Sequence, residues 1–338
     1  MSGFKSITEQ EFQEQIVAKY TDVIGEKIGG KVLGFSDEFF AEAGNLIKPK
    51  PPIRDATKFV HSGAWFDGWE TRRHNTEEAD WVVFKTGVSS AKLIGVEVDT
   101  TFFDGNHAPA ISVEAASLTG DSYEKASWEP VIPFVECGPS QKFFFVRDTI
   151  TAANYTHVRL RMYPDGGIAR FRAYGKVVPI LPKNASTIVD TASVNMGGVA
   201  VARSDAHFGS ADNLILPGRG HDMSDGWETY RSRSEGHVDW ALIKLGGLTK
   251  IDNVVIDTAN FRGNFPQKIN VKAIKSDQDH PDLNNPAWVE VVGNQKTGPH
   301  AEHTYKVNST ETFSHVLLTI IPDGGVKRIR VNGVLVQN

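Results

Sequence analysis

The 338-residue sequence predicts an all-β protein built as two tandem β-sandwich domains, and three observations lead there. The chain repeats itself: Asp67-Gly68-Trp69-Glu70-Thr71 returns 158 positions later as Asp225-Gly226-Trp227-Glu228-Thr229. Tyr163-Pro164-Asp165-Gly166-Gly167 returns at the same step as Ile321-Pro322-Asp323-Gly324-Gly325, so the folding unit is about half the chain. Within each half, short runs alternate Val, Ile, Phe and Trp with polar residues and are parted by Gly, Asn, Asp and Pro, the pattern of strands with one face buried.

Taken in order, residues 8–20 place Phe12, Ile16, Val17 and Tyr20 at helical spacing, which predicts a short amphipathic helix packed on the first domain. We assign residues 1–30 to this extension, 31–180 to the first repeat, 181–194 to a linker and 195–338 to the second. Asn45-Leu46-Ile47 is echoed at Asn213-Leu214-Ile215, a step of 168, which puts a length difference of about ten residues in a surface loop before the Gly-Trp-Glu-Thr motif. Residues 81–85 and 240–244 read as strands, as do 94–99 and 254–257, then 111–115 and 269–273. Residues 158–162 and 316–320 run into Pro-Asp-Gly-Gly and then into 169–174 and 327–331, so each turn predicts a hairpin or a close strand connection. Strands of this length at this spacing point to a sandwich in each copy.

The net charge of −5 and the absence of a Lys/Arg run exclude nucleic acid and anionic lipid as expected partners. The first residues lack a continuous apolar core, so neither a secretory signal nor a membrane span is expected. Cys137, the one cysteine, closes no internal disulfide, which fits a cytoplasmic protein.

The polar cluster Arg72-Arg73-His74-Asn75 is the densest in the chain, joining the planar fork of arginine to the side chain that titrates near neutrality. Its counterpart, Tyr230-Arg231-Ser232-Arg233, keeps one arginine in register and loses the histidine. Asp104-Gly105-Asn106-His107 likewise becomes Arg262-Gly263-Asn264-Phe265. Trp69, Trp81, Trp227 and Trp240 read as packing residues, whereas Glu70 and Glu228 are either buried partners of an arginine or site groups. His74, Asp104 and His107 offer nitrogen and oxygen donors without a close His-x-His or His-x-x-x-His spacing, so no cofactor is predicted and a divalent metal is left open. No phosphate-cradling loop, nucleophile elbow or cysteine nucleophile motif is present.

Residues 66–75 (FDGWETRRHN), 99–109 (DTTFFDGNHAP) and 163–175 (YPDGGIARFRAYG), all echoed in the second half, resemble the allantoicases, most of all the fungal form. The resemblance covers the chain from about Val32 onward. It implies two jelly-roll domains of the galactose-binding or discoidin-like type, and hydrolysis of allantoate, a small-molecule substrate, to (S)-ureidoglycolate and urea. It also implies a role in purine breakdown for nitrogen supply and assembly into a homo-oligomer.

Allantoate carries one carboxylate and two ureido groups on one carbon, so its site needs a cationic clamp, amide-like partners and proton delivery to the departing urea. The residues that meet these needs are Arg72 or Arg73 with Arg170 for the carboxylate and Asn75 and Asn106 for a ureido group. His74 or His107 would protonate the leaving nitrogen, with Asp104 or Glu70 orienting the histidine or activating water. Because the second copy lacks counterparts of His74, Asp104 and His107, the sequence implies one competent site per chain or a site shared between the copies. The alternative from another class is a pair of non-catalytic discoidin-like modules binding a small molecule or carbohydrate, since fold alone does not fix function.

Overall fold

The computed structural model describes residues 3–336 and divides the chain into two compact units, Met1–Val178 and Pro179–Asn338. The first unit is a sandwich of two five-stranded antiparallel sheets. One runs, in spatial order, Phe4–Ser6, Lys142–Arg147, Ala91–Asp99, Arg170–Val177 and Thr21–Asp22. The other runs Glu129–Glu136, Ala110–Ala116, His157–Tyr163, Asp80–Lys85 and Lys31–Phe35. Alternation along the strands explains the layering: Val82 and Phe84 point inward, as do Val96 and Val98, and all four are shut off from water.

The amino-terminal segment lies within this unit and packs on it, as its periodicity predicts. Its helix is shorter than the periodicity predicts, Glu9–Phe12 followed by one π-helical stretch, Gln13–Val17. Thr8 opens it with a reciprocal capping box to Glu11. Phe12 and Ile16 bury against Ile94, Phe144, Val146 and Tyr174, while Phe4–Ser6 and Thr21–Asp22 close the two edges of the sheet. The first repeat carries the longer loop before the Gly-Trp-Glu-Thr motif, with a small hairpin pairing Phe59–Val60 with Gly63–Ala64.

The second unit repeats the plan of the sandwich, with a change in its central strands. Asp80–Lys85 and Ala91–Asp99 are separate strands in the first repeat, but their counterpart is a single 19-residue strand, Asp239–Asp257. Its first part pairs with Phe313–Ile321 and its last part with Glu302–Lys306 and Arg328–Leu335. Gly246 and Gly247 lie where it passes between the layers; at Gly246 a Cβ would collide with the Met196 carbonyl, so only glycine fits there.

The Pro-Asp-Gly-Gly segments are close connections and not hairpins. His157–Tyr163 and Arg170–Val177 lie in opposite sheets, and the chain crosses between them through Gly167–Ile168. That pair of residues forms its own short ladder with Trp69–Glu70, Gly167 opposite Glu70 and Ile168 opposite Trp69. Trp227–Glu228 and Gly325–Val326 do the same in the second unit. Trp69 and Trp227 are fully buried, each donating its indole N–H to a main-chain carbonyl, of Asp37 at 2.7 Å and Asp205 at 2.8 Å. Among the described residues, no helix is long and apolar enough to cross a membrane.

Candidate active site

The Trp69–Glu70 ladder gathers three loops at one end of the first sandwich. The Thr71 N–H donates to the Gly166 carbonyl at 3.0 Å, and the Gly166 N–H returns a bond to the Thr71 hydroxyl at 3.2 Å. His107 bridges to Gly167, and the Ala108 N–H donates to the Gly167 carbonyl at 3.0 Å. Only glycine permits this closeness: Gly166 has φ of 149°, and a Cβ there would lie 2.6 Å from the His107 carbonyl oxygen. Residues 70–75, 104–107 and 164–167 are thereby brought together from distant parts of the chain.

Glu70 sits at the centre of this junction, only 7% exposed. The Asn106 amide donates to its Oε1 at 2.8 Å. Burial pushes the Glu70 carboxyl upward, opposed by the bond from Asn106 and the charge of Arg73, so its protonated form lies nearer to neutrality than for a free glutamate. Arg73 donates through Nη1 to Asp165 Oδ1 at 2.9 Å, and the other oxygen of Asp165 accepts the Asn75 N–H at 3.2 Å. His107 Nδ1 lies 3.2 Å from the main-chain oxygen of Asp104. A carbonyl only accepts, so this bond assigns the proton to Nδ1 and leaves the Nε2 lone pair available. Asp104 thus orients the ring through its backbone, and its own carboxylate is exposed.

Other predicted residues fall differently. Arg72 is held at the surface by Asp37, which accepts from its N–H, Nε and Nη2 at 2.7, 3.1 and 2.9 Å. Asn75 spends its side chain on the loop, donating to the Pro164 carbonyl at 3.1 Å and accepting the Glu77 N–H at 2.9 Å. His74 is exposed and adopts a left-handed backbone, φ 64°, at the crest of the same loop. Together Arg72, Arg73, His74 and Asn75 border a cleft of about 690 Å³ whose far side carries Arg159 and Arg161.

Arg170 requires a correction: it does not face the rim. The side chain is buried and donates to Asp67 Oδ2 at 2.8 Å and to the main-chain oxygens of Lys50, Asp67 and Ala169. Its counterpart Arg328 holds Asp225 in the same way, with Nη2 at 2.9 Å from Oδ2. The residue that sequence reasoning passed over is Asp165, read as part of a turn; its presence in both copies as Asp165 and Asp323 is the available signal. Among the described residues, no group of three or more His, Cys, Asp or Glu side chains converges to hold a metal ion. Burial raises the Cys137 thiol to about 12, which keeps it protonated and unreactive.

A family model described as the allantoicase repeat matches residues 21–178 and again residues 189–336. The chain is 55% identical to the allantoicase of Saccharomyces cerevisiae, covering 98% of this chain and all of that one. It is 54% identical to the allantoicase of Neurospora crassa, covering 92% of this chain and 90% of that one. The crystal structure of the Saccharomyces cerevisiae allantoicase superposes with a TM-score of 0.87 at 51% identity, over 98% of this chain and 100% of that one.

Proposed function

The chain belongs to the allantoicase family, and we infer that it hydrolyses allantoate to ureidoglycolate and urea at the loop junction of its first repeat. The observation that carries the placement is Glu70: a carboxyl nearly removed from water, bonded to Asn106 and within the field of Arg73.

In the reaction one carbon–nitrogen bond of allantoate breaks, its electron pair passing to the departing urea nitrogen, and a water oxygen forms the new bond to carbon. The nitrogen gains a proton and the water loses one. Glu70, its protonated form favoured by burial, suits the donor; His107 Nε2, left with a lone pair by the bond to Asp104, suits the acceptor. Asn106, steadied against Glu70, offers its carbonyl oxygen to a ureido N–H, and the part of the Arg73 fork not engaged by Asp165 receives the carboxylate. His74 and Arg72, the latter paired with Asp37, stand on the same loop at the border of the cleft. The reading extends to a cytoplasmic homo-oligomer serving purine breakdown, supported by the kinship and by the composition.

The test is urea release from allantoate by Glu70→Gln, which preserves shape and the bond from Asn106. We expect kcat to fall about 10²-fold or more, the usual contribution of a positioned acid or base. The wild-type rate should also decline as pH rises through the elevated Glu70 pKa, because the donor is then lost, and the variant should lack that limb. A variant with full activity and the same pH profile removes Glu70 from the chemistry.

A further inference from the structure

We propose that the second repeat holds a ureido acid, a small molecule bearing one carboxylate and one urea group, in a cleft of its own without cleaving it. The ligand class rests on the function proposed above; the site rests on its own geometry. Glu228 and Asn264 stand where Glu70 and Asn106 stand in the first repeat, and the Asn264 amide again donates to the glutamate. Here they line an open cleft of about 670 Å³, within the range that encloses a small ligand.

The cationic groups are held differently from those of the first repeat. Asp323, the counterpart of Asp165, gives an oxygen to the Ser232 N–H at 2.9 Å, and neither Arg231 nor Arg233 has an ion-pair partner among the described residues. Both arginines line the cleft. Two guanidinium groups against the single carboxylate of Glu228 leave a surplus positive charge for a monoanion, and the planar fork of arginine matches a carboxylate. A urea group presents two parallel N–H bonds that fit the Glu228 carboxylate in the same forked manner, with Asn264 beside it. Phe208 and Tyr230, both 60% exposed, supply apolar walls for the flat urea plane. What is missing is the proton acceptor, since Phe265 replaces His107; Ser232 also stands in place of the loop residue His74.

The experiment is calorimetric titration of the full-length chain with N-carbamoylglycine, which has the carboxylate and one ureido group but no second ureido nitrogen to assist cleavage. Wild type should bind two molecules per chain. Arg231→Ala should bind one, with the other weakened at least tenfold, and Arg73→Ala should lose the complementary one. Glu228→Gln serves as a second probe of the cleft should Arg231→Ala fail to fold, as judged by circular dichroism. One molecule per chain in wild type, with Arg231→Ala and Glu228→Gln binding as wild type does, overturns the proposal. One molecule lost in Arg231→Ala but untouched in Arg73→Ala upholds the second cleft and overturns the placement of substrate in the first. Loss of allantoate hydrolysis in Arg231→Ala while Glu70→Gln stays active moves the chemistry into the second repeat and overturns both.

Discussion

Arg170 and Glu70 show what a single position reveals and what it conceals. Both recur in the second half, as Arg328 and Glu228, and both are charged side chains beside a repeated motif. Nothing local tells that Arg170 turns inward, because its partner Asp67 lies 103 residues away and only folding joins them. Cutting such a buried pair leaves one charge stranded, so Arg170→Met should cost about 3–5 kcal/mol of stability. Adding Asp67→Asn should restore part of the loss, and denaturant unfolding of the single and double variants measures both. The roles of Asn75 and Asp104 were hidden for a related reason: main-chain partners leave no trace in a residue pattern. Glu70 was legible as a choice between ion-pair partner and site group; the structure buries it with a hydrogen bond from Asn106 and within the field of Arg73, without a direct ion pair among the described residues.

At the level of the element, the strands were legible because period-two burial writes itself into the sequence, whereas the course of the Pro-Asp-Gly-Gly segment was not. A turn signal says that the chain reverses, not which sheet it enters next. Gly166 makes the difference testable: alanine there meets both the φ of 149° and the His107 carbonyl, so Gly166→Ala should lower the melting temperature by several degrees and depress urea release as His107 is pushed aside. The strands His157–Tyr163 and Phe313–Ile321 each bury a histidine at the matching position, and neither ring Nε2 finds a partner among the described residues. Burial holds His315 down to about 4, with Lys244 acting in the same direction against Asp279, and His157 is lowered likewise beside Lys85 and Asp121. The unfolded chain therefore binds protons that the folded one refuses. Stability should be full above the ordinary histidine value of 6.5 and fall as pH drops toward 4. Thermal melts across that window test the sign, and His315→Gln should flatten the decline.

For the molecule as a whole, the step of 158 residues was the most informative feature of the sequence, since it foretold two sandwiches and the pairing of Glu70 with Glu228 as equivalent positions. It did not foretell that the copies differ in how their arginines are occupied, because that depends on which N–H reaches Asp165 or Asp323. Nor did it reveal Asp239–Asp257 as one strand, as alternation alone does not distinguish a strand that stops from one that bends at Gly246 and continues. In the first unit the same stretch is interrupted at residues 86–90, so its two layers are joined there by a loop. An uninterrupted ribbon shared by both layers ties their opening together. Amide deuteration followed by mass spectrometry should find residues 239–257 exchanging late and nearly in step, while the segments 80–85 and 91–99 pick up label at separate rates, giving two inherited copies of one plan different modes of breathing.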